Sequence, residues 1–258
     1  MVVVRVLAVV VVLGVIGVVI GVALIPRLGL LIRPDATDRP APRWAPPVAA
    51  APSAVPTPAS APAQTGGVDI AALVDPAWAS STAAATGIPE RAVLAYAGAA
   101  VFKARTSPAC RLSWTTLAAI GEAESSHGRH GGSTVGADGT VTPPIYGVAL
   151  NGGGVALIRD SDGGAIDADA AADRAVGPMQ LIPQTWRNWH TDGNGDGRED
   201  PQNVDDAVLA TTDYLCRAST ALDTETGWRA AIAAYNSAPS YMAKVARVAV
   251  RYNELVVG

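Results

Sequence analysis

The sequence predicts a mainly α-helical folded domain, preceded by an apolar N-terminal segment and a linker rich in proline and alanine. Apolar residues recur at helical spacing through most of the C-terminal part of the chain. No stretch there alternates strictly between polar and apolar residues over six or more positions, as a half-buried strand would. Because the composition changes sharply along the 258 residues, we interpret each part separately.

The N-terminal segment is long and apolar enough to cross a membrane. Between Val2 and Ile25 the only charged residue is Arg5, and about 20 apolar residues suffice for a spanning helix. A cleaved signal peptide is the alternative, but its apolar region is shorter, about 7–15 residues, and ends at a small-residue cleavage site. The run here ends in Pro26-Arg27 without an Ala-x-Ala pattern. We therefore interpret residues 1–33 as a transmembrane anchor.

Residues 34–67 consist largely of alanine and proline, with serine and threonine between them. Such a segment cannot bury a core, and proline-rich chain behaves as a stiff, extended spacer. Four arginines follow the apolar run and only one precedes it, which by itself favours a cytoplasmic C-terminal domain. The spacer instead suits a domain that reaches into a cell wall, while an inert disordered linker with no need for reach fits the composition equally well. We expect a single-pass membrane protein whose folded domain is extracytoplasmic and faces the wall.

Residues 68–258 are long enough to form one folded domain. They contain 21 acidic and 14 basic residues, a net charge of about −7, which argues against nucleic acid as a partner. Cys110 and Cys216 are the chain's two cysteines. An even count in an exported chain suggests one disulfide, with two buried free thiols as the alternative.

The periodicity predicts helices over residues 90–103, 114–127, 183–189, 205–218, 227–236 and 240–255. Ser113 is suited to begin the second of these as its N-cap, and Gly128 to end it. Between His130 and Arg174 the pattern lapses into glycine and aspartate, which predicts a long irregular loop excursion. A short strand over residues 155–158 could pair there with residues 145–150.

Glu124 is the candidate for acid–base chemistry. It lies near the predicted C-terminus of its helix, where the helix dipole and the apolar turn before it both raise the pKa of a carboxyl. Such a raised pKa is what a general acid needs near neutrality. Glu122, two positions earlier, points to a different side of the helix, so the two cannot form a dyad. Taken alone, a glutamate near a helix end is more often an ordinary surface residue.

Three segments together resemble the lytic transglycosylases of the goose-lysozyme superfamily, in particular the membrane-bound B type and its actinobacterial relatives. They are Glu-Ser at 124–125, Asp-Arg-Ala-Val-Gly-Pro-Met-Gln-Leu-Ile-Pro-Gln-Thr-Trp at 173–186, and Ala-Ala-Tyr-Asn-Ser at 233–237. The resemblance extends over residues 87–255. It implies a goose-type, lysozyme-like domain that acts on the glycan strands of bacterial peptidoglycan, and we expect it to act as a monomer.

The resemblance identifies Glu124 as the catalytic acid and base, and it implies a surrounding set of substrate-binding residues. These are Ser125, Tyr146, Gly177, Met179, Gln180, Tyr235 and Asn236. Gln180 would hydrogen-bond an N-acetyl sugar. For Met179 and Tyr235, packing in the core is the alternative interpretation.

The resemblance also implies a mechanism that uses a single carboxylate. Glu124 would protonate the oxygen of the bond between N-acetylmuramic acid and N-acetylglucosamine, then take the proton from the muramic acid's own C6 hydroxyl, leaving a 1,6-anhydro ring. Asp160, Asp162 or Asp173 could supply a second carboxylate, which would favour a hydrolytic muramidase. A non-catalytic wall-binding protein with the same cleft is the third possibility.

A second motif, residues 192–198, reproduces the opening of a calcium-binding loop, with oxygen ligands at positions 1, 3 and 5 and glycine at position 6. Position 12 is Asn203, where the usual pattern has glutamate. The B-type transglycosylases carry a longer loop closed at position 15 by an aspartate, and Asp206 stands there. The sequence therefore predicts a structural Ca²⁺ bound by a set of five ligands. These are Asp192, Asn194, Asp196, the carbonyl of Arg198, and Asp206. A polar, glycine-rich turn is the alternative.

Overall fold

The computed structural model describes residues 67–257. The predicted membrane anchor, residues 1–33, and the predicted linker, residues 34–67, lie outside the described residues except for Gly67. Within residues 67–257, no helix is both long and apolar enough to cross a membrane.

The described part of the chain is mainly helical, as predicted. Its α-helices are α1 (Pro76–Thr86), α2 (Glu90–Thr106), α3 (Trp114–Ser125), α4 (Pro183–Trp189), α5 (Val204–Ala218), α6 (Glu225–Tyr235) and α7 (Pro239–Val257). Two short strands, β1 (Thr134–Val135) and β2 (Val141–Thr142), form an antiparallel pair. Short 3₁₀ helices occur at Ala71–Leu73 and His130–Gly132.

Helix α1 was not predicted from the sequence. Its residues are mostly alanine, serine and threonine, and they form no apolar stripe that a periodicity argument could detect. Local signals define it instead. Asp75 accepts a hydrogen bond from the Ala77 amide, Pro76 occupies the first helical position, and Gly87 ends the helix in the left-handed conformation.

Helix α3 begins where predicted, because the Ser113 hydroxyl accepts a hydrogen bond from the Thr116 amide, 3.3 Å away. Its predicted end was wrong by two residues. The helix stops at Ser125, since Ser126 and His127 both adopt the left-handed conformation before Gly128 is reached. The chain therefore turns away immediately after Glu124 and Ser125.

The core lies between α2, α3, α5 and the two C-terminal helices. Helix α3 is buried on most of its surface and packs chiefly against α7, with Trp114, Leu117 and Ile120 almost inaccessible to solvent. The predicted disulfide is confirmed. Cys110, shortly before α3, is bonded to Cys216 in the last turn of α5, with 5.3 Å between their Cα atoms. The bond thus ties the start of α3 to the end of α5.

The excursion at residues 130–174 is irregular, as predicted, with β1 and β2 as its only named strands in the described chain. The expected pairing of residues 155–158 with 145–150 is reduced to a single bridge between Asn151 and Leu157 and a hydrogen bond from the Ile158 amide to the Leu150 carbonyl. Further along, aspartate side chains accept hydrogen bonds from the excursion's own amides. These bonds hold the excursion together internally without regular secondary structure.

Candidate active site

A cleft of about 550 Å³ opens beside the C-terminal end of α3. Its polar side chains come from the end of α3, the segment before α4, and the end of α6, and its apolar wall comes from the excursion. The lining residues used below are Glu124, Gln180, Tyr235 and Asn236 among the polar ones, with Leu150, Ala156 and Ile158 on the apolar wall. Three sequence-predicted segments therefore meet at one surface.

Glu124 is partly buried in this cleft, in the last turn of α3. The Tyr241 hydroxyl of α7 donates a hydrogen bond to its Oε1 atom at 2.5 Å. Burial raises the pKa of Glu124 to about 7, although the Tyr241 hydrogen bond and the positive charge of Lys244 both lower it. The carboxyl is therefore poised between its protonated and ionised forms near neutral pH.

Glu122 lies outside the cleft and has different partners. Its Oε2 atom accepts hydrogen bonds from the Arg251 guanidinium and the Tyr252 hydroxyl, both on α7. The two carboxylates therefore have different surroundings. Glu124 faces the cleft, and Glu122 is bonded to Arg251 and Tyr252 outside it.

The segment before α4 forms the floor of the cleft, and its backbone path depends on Gly177. Its φ of +73° is left-handed, and a methyl group at this position would collide with the carbonyl oxygen of Pro201. The Gly177 carbonyl accepts a hydrogen bond at 3.0 Å from the side-chain amide of Gln180, which reaches the cleft surface. Gly177 therefore acts through backbone conformation, and Gln180 is the polar group that this segment presents.

Tyr235 links the cleft to the core. Its hydroxyl donates to the carbonyl of Met179, and its ring stacks on that of Tyr241 with 6.5 Å between the ring centroids. Met179 is completely buried, so its side chain packs in the core, as the alternative interpretation proposed. Asn236 is exposed just after α6, where its Oδ1 atom accepts a hydrogen bond from the Ala238 amide at 3.0 Å.

Four of the seven sequence-predicted binding residues do not line the cleft: Gly177 and Met179, described above, and Ser125 and Tyr146. Ser125 is buried, and its hydroxyl donates to the Pro178 carbonyl at 2.6 Å while accepting from the Gly128 amide at 2.8 Å. Its hydrogen-bonding capacity is thus used to join the end of α3 to the cleft floor. Tyr146 is 41% exposed on the excursion, outside the cleft lining.

Sequence reasoning missed Tyr241, the hydrogen-bond partner of Glu124. Tyr241 lies in the first turn of α7, six residues after Tyr235. Nothing in its sequence surroundings separates it from Tyr252, a second tyrosine of the same helix that contacts Glu122 instead. Only the packing of α7 against α3 distinguishes the two roles.

The predicted calcium loop has oxygen ligands of the kind that calcium takes. Asp192 is almost completely buried, and its carboxylate accepts hydrogen bonds from the amides of Gly195 and Gly197. Asp206 accepts from backbone amides as well, and burial raises its pKa to about 7, with the charge of Asp192 adding to the effect. The loop carboxylates of Asp192, Asp196 and Asp206 do not bring their oxygens within 4.8 Å of one another. The donor chemistry fits calcium, and the ion remains a prediction.

One cluster of acidic residues does bring three carboxylate oxygens within 4.8 Å of one another in the described chain, namely Asp160, Asp162 and Asp173 in the excursion. Asp173 is fully buried and accepts hydrogen bonds from the amide and hydroxyl of Ser161. None of the three lines the cleft. They therefore hold the excursion together and lie outside the surroundings of Glu124.

Comparison with known families identifies this domain. The family described as the transglycosylase SLT domain matches residues 101–253, which is more than half of the chain. The chain therefore belongs to this family, a group of lytic transglycosylases with a lysozyme-like domain. Searches of curated proteins and of solved structures found no match.

Proposed function

We propose that this member of the transglycosylase SLT family cleaves the β-1,4 bond between N-acetylmuramic acid and N-acetylglucosamine in peptidoglycan, with Glu124 as its single acid and base. The observation that carries the proposal is the pKa of this carboxyl, which burial raises to about 7. At that pKa both protonation states are accessible near neutral pH, and an acid that must later act as a base needs both.

In the first step, Glu124 donates its proton to the glycosidic oxygen, and the bond to C1 of N-acetylmuramic acid breaks. The Tyr241 hydroxyl occupies Oε1, which leaves Oε2 to carry the transferred proton. In the second step, the carboxylate takes the proton of the C6 hydroxyl, and that oxygen bonds to C1. The product is a 1,6-anhydro ring, and no water is consumed.

The surroundings of Glu124 support this mechanism over hydrolysis. Glycosidases that hydrolyse their substrate generally use a pair of carboxylates, about 5–9.5 Å apart. Among the described residues that line the cleft, Glu124 is the only carboxylate. The remaining polar groups, such as Gln180 and Asn236, are amides suited to binding the hydroxyl and N-acetyl groups of sugars.

The products of digestion test the proposal. Purified sacculi are incubated with the full chain, and the released fragments are weighed by mass spectrometry. An anhydro end is one water lighter than a reducing end, so the expected fragments all carry that difference. Fragments with reducing ends would instead establish a muramidase. Release of no fragments by a folded protein that still binds sacculi would favour a non-catalytic wall-binding role.

We also propose that the chain is of the membrane-bound B-like, actinobacterial type, with residues 1–33 as a single-pass anchor, residues 34–67 as the spacer and residues 68–258 as the extracytoplasmic domain. The Cys110–Cys216 disulfide supports this orientation, because disulfides persist in oxidising compartments. Protease added to intact spheroplasts should remove the domain and leave the anchor. Protection of the domain until the membrane is broken would reverse the orientation.

A further inference from the structure

A buried histidine lies three residues after Glu124 and is held by two tyrosine hydroxyls. His127 is only 2% exposed. Its Nδ1 atom lies 3.1 Å from the Tyr96 hydroxyl of α2, and its Nε2 atom 2.8 Å from the Tyr252 hydroxyl of α7. The side chain therefore connects the residues just after α3 to both of the helices that flank it.

The direction of these hydrogen bonds follows from their partners. The Tyr252 hydroxyl donates its proton to Glu122, so the Tyr252 oxygen must accept from His127 Nε2–H. In the neutral ring, whose pKa burial lowers to about 4, Nδ1 is then the acceptor for the Tyr96 hydroxyl, which fixes a single tautomer. The result is a one-way chain from Tyr96 through His127 and Tyr252 to the carboxylate of Glu122.

Burial, more than the surrounding charges, keeps the histidine neutral. Burial lowers the pKa of His127 to about 4. The carboxylate of Glu122 on α3 raises it, while Arg129 after α3 and Arg251 on α7 lower it. At neutral pH the ring therefore acts as a fixed hydrogen-bond link and does not titrate.

The backbone just after α3 is strained and needs contacts that hold it in place. Ser126 and His127 have φ values of 52° and 62°, a left-handed conformation that is costly for residues other than glycine. The strained turn directly follows the helical turn that carries Glu124. Gly121 makes room for the Tyr96 hydroxyl that contacts His127, because a methyl group at position 121 would collide with that hydroxyl. Local strain of this kind persists only where surrounding contacts hold it.

We propose that His127 is a positioning residue, whose two hydrogen bonds fix the strained end of α3 so that the Glu124 carboxyl meets the Tyr241 hydroxyl. Helix α7 supplies both Tyr252, which anchors His127, and Tyr241, which contacts Glu124. The two hydrogen bonds of His127 therefore set the position of the Glu124 carboxyl relative to the Tyr241 hydroxyl. The proposal rests on the proposed function for its kinetic consequence.

The test compares three variants of the full chain. His127→Phe keeps a ring but loses both hydrogen bonds, and it leaves the buried Tyr96 hydroxyl without a partner. The double variant Tyr96→Phe/His127→Phe removes that stranded hydroxyl as well. Ile70→Ala, a buried core position outside the cleft, is the control for a general loss of stability.

If His127 positions Glu124, both variants with phenylalanine at 127 should lose kcat by about 10- to 100-fold on sacculi with little change in KM, since small displacements of a reacting group cost this much. The double variant should regain melting temperature over His127→Phe without regaining kcat. Ile70→Ala should melt lower with kcat unchanged at low temperature. Recovery of kcat together with melting temperature in the double variant would overturn the proposal, as would a kcat loss no larger than that of Ile70→Ala at an equal loss of stability.

A second measurement does not depend on activity. The pKa of Glu124 is followed by carbon NMR of the labelled glutamate carboxyls, of which the chain has six. Loosening the turn should separate the Glu124 carboxyl from the Tyr241 hydroxyl, whose hydrogen bond lowers the pKa of that carboxyl, so the pKa of Glu124 in His127→Phe should move upward from about 7. An unchanged pKa of Glu124 in His127→Phe would refute the positioning role. Failure of the wild-type chain to release anhydro products would refute only the proposed function.

Discussion

Replacing Glu124 with glutamine should abolish cleavage and, above neutral pH, make the protein more stable. The pKa of Glu124 lies near 7 instead of at its ordinary value of 4.5 because its carboxyl is buried. The folded state therefore holds a proton that the unfolded state has released, and the wild type loses stability as pH rises from about 4.5 to 7. At about 1.36 kcal/mol per pKa unit, the loss is about 3 kcal/mol, an upper limit since the cleft is open to water.

Glutamine carries no charge at any pH but still offers an oxygen to the Tyr241 hydroxyl. At pH 8 the Glu124→Gln variant should melt above the wild type by up to roughly 6–12 °C, because each kcal/mol is worth roughly 2–4 °C in a domain of this size. Near pH 4 the two curves should coincide. Cleavage of sacculi should fall by about 10²–10⁴-fold or more.

The assay is thermal unfolding at both pH values, paired with digestion of sacculi, and Glu254→Gln is the matched control. Glu254 is exposed on α7, so the same substitution there should change neither property. Equal melting temperatures at pH 8 for the wild type and Glu124→Gln would refute the buried, proton-holding carboxyl. Substantial residual cleavage by Glu124→Gln would refute its role as the acid.

Three further outcomes are expected. Tyr241→Phe removes a hydrogen bond that lowers the pKa of Glu124. The rate should fall, and the alkaline limb of the pH–rate profile should move to higher pH. An unshifted limb would exclude this contact from catalysis. Cys110 and Cys216 should resist alkylation until reduced, and replacing both with alanine should cost about 2–4 kcal/mol in denaturant unfolding; ready alkylation of the native protein would contradict the bond. Calcium at about 100 times its Kd should add roughly 2.7 kcal/mol to the free energy of unfolding and raise the melting temperature above that in chelator. Asp196→Ala should erase this rise. Identical melting curves in calcium and in chelator would mean that the loop is only a polar turn.

The sequence predicted the helices best where an apolar stripe or a cap residue marks them. Six of the seven α-helices in the described chain agree with the periodicity in position, and Ser113 begins α3 as expected. Helix α1 was missed because its burial depends on a few small residues, among them Ala79 and Thr82. The end of α3 was misjudged since Ser126 and His127 are left-handed only because tertiary contacts hold them there.

The candidate site was predicted where short motifs mark it, and missed where packing creates it. Glu124, Gln180, Tyr235 and Asn236 do meet in one cleft. The motif places Ser125 beside Glu124 in the sequence, but neighbouring residues of a helix point in different directions. Ser125 faces inward, where its hydroxyl donates to the Pro178 carbonyl.

The disulfide divides the residues of the cleft into two groups. The bond joins positions 106 residues apart, and the covalent ring that it closes includes Glu124 and Gln180. Tyr235, Asn236 and Tyr241 come from α6 and α7, after the ring has closed. A chain interrupted before α6 would keep its ring and its acid, yet lack the hydroxyl that contacts the acid and one side of the sugar cleft. Under the proposed function, closing the covalent ring therefore does not complete the site, because cleavage also needs the residues that follow the ring.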